Sequence, residues 1–370
     1  MTREEIHENA LNKWEENSYQ GIIKAVTGIG KLSIFFKSLY ILREKVGLQN
    51  EEVWFYRETV LGENTLKQEC EEFEKREGSN PCLNFNIVFK TYQSKSEGNP
   101  FYVCLDECDF ADVKYLTPIF KMNTKYRMGL TATLAARKEK LYSPYMKKVF
   151  NYTRKNAENH QNVNPLETYI IPHELNSVKP YSKVWKSSTV EASEKVYYDA
   201  KISYINWEGA NTSIVLFTRK ILLPRMLFNL PSKVDKFNQV KSMITGKCIV
   251  FAKEHSFLKK LGIPHLDGKQ DETIIKQFND GEIQFIGATS KKIGRGVNLQ
   301  DVENIFLISS GKSFTEFSQV IGRSRKKEGV VTKLYVIVTK GTYEEIWIKE
   351  VHKEKDGFRV IESFNLNIQS

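Results

Sequence analysis

The sequence predicts a two-domain α/β protein with mainly parallel sheets. Three observations carry that reading: the length of the chain, two separate series of short apolar runs alternating with amphipathic stretches, and a polar, Asn-rich interruption between the series. At 370 residues the chain exceeds what one hydrophobic core usually encloses. Its 41% apolar and 27% charged content is that of a folded protein and excludes long disordered tails.

The first series of expected strands comprises residues 21–26, 53–56, 86–90, 101–105 and 127–131, short apolar runs that alternate with amphipathic stretches. That alternation is what β-α units around a parallel sheet produce. Residues 152–164 are polar and end at Pro165, so a domain boundary is expected there, giving domains at 1–160 and 161–355 and a short tail at 356–370. The second series comprises residues 166–171, 248–252, 283–288, 304–309 and 333–339. Between its first two strands, residues 194–244 carry apolar positions at helical spacing, with breaks expected at Pro224 and Pro231, and read as a helical elaboration of the second domain.

Charge and composition narrow the function classes. A formal net charge of +10 points to a polyanionic partner, because Lys and Arg neutralising phosphates supply most non-specific nucleic-acid affinity. No apolar run approaches the length that spans a bilayer, and the opening segment MTREEIHENALNKW is too charged for a signal peptide, so no membrane role is expected. Five cysteines, Cys70, Cys82, Cys104, Cys108 and Cys248, are odd in number and irregularly spaced, which predicts reduced thiols in a cytoplasmic compartment. Cys104 and Cys108 are the only close pair. Cys104 lies in an apolar run, as a buried thiol would, so zinc is not expected.

The chemistry-bearing segments follow the strands. Ala25-Val-Thr27-Gly28-Ile-Gly30-Lys31 lies between an expected strand and an expected helix. That is the context of a phosphate-binding loop: glycines let backbone N–H groups wrap phosphates, a lysine reaches the β and γ groups, and the helix N-terminus adds its dipole. Taken alone, a glycine turn before a helix is the better explanation of it. Asp106-Glu107-Cys108-Asp109 follows an apolar strand, where Asp106 is placed to hold Mg²⁺ and Glu107 to polarise an attacking water; a solvated acidic turn is the plainer alternative. Gly129-Leu-Thr131-Ala-Thr133 puts two hydroxyls at another strand end, able to hydrogen-bond the acidic turn. In the second half, the segment from Gly287 through Thr289, Gly296 and Asn298 follows a strand, and Gln319, Gly322, Arg323, Arg325 and Lys326 cluster within a basic stretch. There an arginine could neutralise a transferring γ-phosphoryl group; a plain basic surface is the alternative.

In order and spacing these segments resemble the motif series of the superfamily 2 helicases, close to phage DNA helicases and the helicase parts of type III restriction enzymes. The resemblance runs from about Ile6 to Thr339. It implies two tandem RecA-like domains, ATP with Mg²⁺ in the cleft between them, and one nucleic-acid strand crossing both. By position it assigns Lys31, Asp106, Glu107, Gln319 and Arg323 to catalysis, with Asp106 as metal ligand. It assigns His7, Thr27, Gly28, Gly30, Lys31, Ser33, Gly296, Asn298, Arg323 and Lys326 to ATP. It assigns Arg57, Thr91, Tyr92, Thr131, Thr133 and Thr289 to the nucleic acid. Three positions depart from the pattern. Leu32 replaces the usual Ser or Thr that ligates Mg²⁺, with Ser33 one place later; Lys326 falls where an arginine is expected; and His7 falls where the family has an adenine-reading glutamine.

The resulting expectation is an ATP-dependent DNA helicase or translocase with little sequence preference, DNA being favoured over RNA, acting as a monomer in the cytoplasm (the host cytoplasm if viral). An RNA helicase is the first alternative. The second is a nucleic-acid-binding scaffold that no longer hydrolyses ATP, which Leu32 favours and Glu107, Gln319 and Arg323 oppose.

Overall fold

The computed structural model describes residues 1–57, 62–94, 97–109, 111–134, 136–178, 180–185, 188–268, 271–289, 299–309, 329–353 and 359–361. The chain divides into two compact units, Met1–Val163 and Asn164–Ser370.

In the first unit, α1 (Arg3–Glu16) leads into β1 (Gln20–Ala25), α2 (Lys31–Val46), β2 (Val53–Arg57), α3 (Gly62–Glu77), the single turn α4 (Pro81–Asn84), β3 (Ile87–Thr91), β4 (Tyr102–Asp106), α5 (Val113–Lys121), β5 (Tyr126–Thr131), α6 (Ala136–Tyr142), β6 (Lys148–Tyr152) and α7 (Arg154–Asn159). The strands form one parallel sheet in the order β3-β2-β4-β5-β1-β6. The near-continuous apolar character of β2 and β4 follows from burial on both faces. Along β2, Val53 and Phe55 enter the core built with α1, α2 and α3, while Trp54 and Tyr56 enter the opposite core with Leu116, Ile119 and Phe120 of α5. α1 begins at a capping box between Thr2 and Glu5 and inserts Ile6, Ala10 and Trp14 into the first of these cores, where the Trp14 indole N–H donates to the Arg127 carbonyl at 2.9 Å.

The second unit holds β7 (Leu166–His173), β8 (Pro180–Trp185), β9 (Ser188–Ser193), α8 (Glu194–Asn206), α9 (Thr212–Phe217), a π-helical turn (Thr218–Leu222), α10 (Leu223–Phe228), α11 (Ser232–Lys241), β10 (Cys248–Ala252), α12 (His255–Lys260), α13 (Asp271–Asn279), β11 (Phe285–Thr289), β12 (Asn304–Leu307), β13 (Thr332–Thr339), α14 (Tyr343–Lys353) and β14 (Arg359–Ile361). Its main sheet is parallel, in the order β11-β10-β12-β13-β7-β14, and β8 and β9 form a separate antiparallel hairpin. Both units therefore have the parallel-sheet α/β architecture expected, and every expected strand is present with ends within two residues. Strands β6 and β14 and the hairpin were not expected; their sequences are mixed in polarity rather than apolar runs.

Two expectations are corrected. Cys70 on α3 and Cys82 on α4 form a disulfide, with Cα atoms 6.0 Å apart, while Cys104, Cys108 and Cys248 are free and buried. The chain reverses between α3 and α4 through Gly78, at φ +75°, and the Asn80 cap of α4, so the two thiols meet although their spacing carries no signal. Nor does Pro224 break the elaboration: α9 continues through the π turn into α10, with Pro224 in the first turn of α10. A proline lacks the N–H that an α ladder would use, and the wider π turn before it absorbs the mismatch. The helix instead ends between Trp207 and Asn211, and Pro231 stands at the start of α11.

Candidate nucleotide site

The site is built at the carboxyl ends of β2, β4, β5 and β1, neighbours in that order in the first sheet. This is where open parallel sheets place ligand-binding loops. The turn from β1 to α2 has Gly28 at φ +94° and Gly30 at φ +84°, left-handed conformations that a side chain would strain. Gly30 is the N-cap of α2 and has no side chain to cap it, so the first backbone N–H groups of the helix keep their polarity for a ligand. Lys31 is the first helical residue, and its Nζ folds back to donate to the Ala25 carbonyl at 3.2 Å.

α1 pins this loop from beneath. Arg3 Nη2 donates to the Gly28 carbonyl at 2.9 Å, and His7 Nε2 donates to the Ile29 carbonyl at 2.7 Å. Burial pushes the His7 imidazole down against the opposing pull of the Ile29 bond, so the ring is neutral with its proton on Nε2. His7 is 2% exposed, and its Nδ1 has no hydrogen-bond partner. His7 lies under the loop and supports it, because the spacing of Ile6, His7 and Ala10 turns it inward. Thr27 sits half-buried within the same turn.

The acidic turn is held as firmly. Asp106 ends β4 and is 6% exposed, and Glu107 follows in a left-handed backbone conformation at φ +50°, uncommon outside glycine. Asp106 Oδ1 accepts from the Glu107 N–H at 3.1 Å, and Oδ2 is paired with Arg57 Nε at 2.9 Å. Burial alone would lower the Arg57 guanidinium, yet the carboxylates of Asp106, Glu107 and Glu69 hold it above its ordinary value. Both hydroxyls of the β5 segment turn inward, Thr131 and Thr133 each donating to an oxygen of Asp109. Burial raises Asp109, opposed by these two bonds and by the charge of Lys31.

Several residues assigned by position to the nucleic acid lie in the interior. Tyr92 is 2% exposed, stacks on Tyr56 with centroids 6.0 Å apart and donates its hydroxyl to the Asp106 carbonyl at 2.7 Å, within the core. Thr131 and Thr133 are buried and serve the acidic turn. Thr289, at the end of β11 in the second unit, is also buried. Thr91 remains half-buried with its hydroxyl bonded to Ser94 at 2.9 Å. Tyr142, which sequence reasoning missed, donates to the Cys108 carbonyl and braces the acidic turn from α6; its charged surroundings along the chain carried no signal of this. Gly296, Asn298, Gln319, Arg323 and Lys326 lie outside the described residues.

Asp106 supplies one carboxylate where a nucleotide-bound Mg²⁺ would need it. Leu32 packs partly buried against the first core, and the Ser33 hydroxyl, expected as a substitute ligand, is buried and accepts from Arg76 Nη2 at 3.2 Å. No group of three His, Cys, Asp or Glu able to hold a metal occurs among the described residues. The residues thus fit a cation held by one protein carboxylate, with nucleotide oxygens and water completing its shell, once Arg57 yields Oδ2. No described helix is long and apolar enough to cross a membrane.

Residues 232–327 match the family model of the helicase conserved C-terminal domain. No curated protein matches the sequence. Among solved structures the chain is similar to the ATP-dependent Type ISP restriction-modification enzyme LlaBIII bound to DNA, at 13% identity and a TM-score of 0.58 over 98% of this chain and 31% of that one. It is also similar to S. cerevisiae Dbp5 bound to RNA and ADP BeF3, at 14% identity and a TM-score of 0.57 over 96% of this chain and 89% of that one. The chain therefore spans under a third of the restriction enzyme it resembles and most of Dbp5. These likenesses and the two parallel sheets give the chain a tandem RecA-like fold, and residues 232–327 of its second unit are similar to the helicase conserved C-terminal domain.

Proposed function

We propose that the protein is an ATP-driven motor on nucleic acid, a helicase or translocase acting on DNA. The observation that carries this reading is the meeting, at one sheet edge, of the Gly28–Lys31 turn at the head of α2 with the Asp106-Glu107 turn two strands away. In this reading the first N–H groups of α2 and the Lys31 ammonium bind the phosphates of ATP. Bound Mg²⁺ would neutralise charge on the β- and γ-oxygens. Glu107 orients the attacking water, and the Thr131–Asp109–Thr133 cluster ties the position of that turn to the end of β5. By resemblance, Gln319 and Arg323 act on the γ-phosphate, Gly296, Asn298 and Lys326 serve ATP, and residues 1–160 are the ATP-binding domain. Arg57 and Thr91 lie opposite one another on β2 and β3 and are offered to the phosphate backbone, a contact with little sequence preference.

DNA is placed first on the likeness to phage and restriction-enzyme helicases and to LlaBIII, whose structure holds DNA. The likeness to Dbp5, whose structure holds RNA, supports the second reading, an RNA-stimulated ATPase. An ATPase assay with no nucleic acid, single-stranded DNA, duplex DNA and RNA separates the readings. Stimulation by DNA is expected; stimulation by RNA alone favours the second reading; strand binding without hydrolysis under any condition refutes the motor.

A further inference from the structure

Arg57 closes β2 and Asp106 closes β4, the neighbouring strand, with Tyr56 registered on Leu105 just before them. Their ion pair uses Asp106 Oδ2, while the Glu107 N–H takes Oδ1, so both oxygens of the one carboxylate offered to a metal are engaged. In the first turn of α2, position 32 is a leucine and offers no hydroxyl, and the Ser33 hydroxyl receives Arg76. A guanidinium thus stands where a protein-held divalent cation would have to act. The Asp106 side chain is 8% exposed but that of Arg57 is 25% exposed, so an anion can approach the guanidinium without opening the core. Thr91, registered opposite Arg57 on β3, lies beside it on the approach.

We propose that Arg57 is a built-in counter-cation for Asp106, and that a nucleic-acid phosphate draws it away, so that strand binding and divalent-metal capture are coupled through this ion pair. The inference rests on the nucleotide and nucleic-acid functions proposed above. A guanidinium against Oδ2 repels a dication on the same carboxylate, so the metal is held weakly while the pair stands. Phosphate and carboxylate satisfy the planar guanidinium fork equally well, so a strand phosphate competes directly for Arg57. Once Arg57 turns to the strand, Asp106 has an open oxygen and no adjacent positive charge. Reciprocity then requires the metal to tighten strand binding by the same factor.

The test uses Mn²⁺ as the probe, titrated by electron paramagnetic resonance into the full chain with a non-hydrolysable ATP analogue, with and without single-stranded oligothymidylate. Wild type is expected to bind Mn²⁺ roughly tenfold tighter when the DNA is present, and the DNA roughly tenfold tighter when Mn²⁺ is present. Arg57→Gln keeps a hydrogen-bonding side chain without the charge; it should bind Mn²⁺ tightly with or without DNA, the coupling falling to about onefold. Arg57→Ala should behave likewise and serves if the first variant does not fold. Unchanged Mn²⁺ affinity on adding DNA to wild type, with analogue and DNA both bound, overturns the inference and leaves the proposed function standing. Persistence of the coupling in either variant also overturns it. Failure of wild type to bind analogue or DNA at all overturns both.

Discussion

Lys233 Nζ donates to both carboxylate oxygens of Glu344, at 2.7 and 2.8 Å, with both side chains fully buried. The pair joins the first turn of α11 to the first turn of α14. Glu344 is further satisfied by the Thr339 N–H at 3.0 Å and the Thr339 hydroxyl at 2.7 Å. Burial pushes the Lys233 ammonium down, and the attraction of Glu344 resists. Such a pair is costly to break on one side and cheap to replace as a whole. Lys233→Met is expected to destabilise the protein by about 3–5 kcal/mol in urea unfolding, by stranding a buried carboxylate. Lys233→Met with Glu344→Leu should recover most of that loss, and equal losses in the single and double variants would contradict this account.

His173 sits in the same polar interior, its ring nitrogens bonded to Thr339 at 3.2 Å and Ser232 at 2.8 Å. Burial, with the nearby charges of Lys233 and Lys236, lowers it from 6.5 to about 3. Between those values the unfolded chain takes up a proton that the folded chain refuses. The contribution to stability is therefore whole above pH 6.5 and is lost as pH falls toward 3, on the order of 4–5 kcal/mol across the full window. Urea midpoints for wild type and His173→Gln, measured at neutral pH and stepwise down the window, should converge as the pH falls. Parallel profiles would rule out His173 as the source.

Lys31→Ala and Glu107→Gln should each reduce nucleic-acid-stimulated ATP hydrolysis by roughly a hundredfold or more, for different reasons. The first removes a phosphate counter-charge, so binding of a fluorescent ATP analogue weakens. The second keeps a polar group of the same shape, so the analogue remains bound while turnover stops. Full activity in either variant would remove its residue from the site.

Leu32 contributes apolar contact to the first core and no oxygen to the loop. With Asp106 as the proposed metal ligand and no hydroxyl at position 32, the ATPase should be slow and need more Mg²⁺ than a loop carrying a hydroxyl. Leu32→Thr supplies that oxygen at the helix head, at a stability cost of about 1 kcal/mol for the apolar group lost. Mg²⁺ titrations should show a requirement lowered severalfold in the variant. An unchanged requirement would mean that position 32 does not face the metal.

The periodicity of the chain was enough to determine two parallel-sheet units, because strands buried on both faces must be apolar runs and most of them alternate with helices. The Gly28–Lys31 turn was legible for a related reason: glycine is most comfortable at the left-handed positions that lead from β1 into α2. What tertiary structure decided was direction and partnership. Tyr92, Thr131 and Thr133 have the chemistry of surface contacts, yet the fold turns them inward to hold Asp106 and Asp109, since buried carbonyls and carboxylates must find donors. His7 was read by position as a base reader, and the fold places it under the loop against the Ile29 carbonyl, because one face of α1 is buried there. The pairing of Arg57 with Asp106, of Lys233 with Glu344 and of Cys70 with Cys82 depends on strand order, helix packing and a chain reversal. Such contacts between residues distant along the chain leave no mark in local composition or spacing, and exist only once the backbone has closed around them.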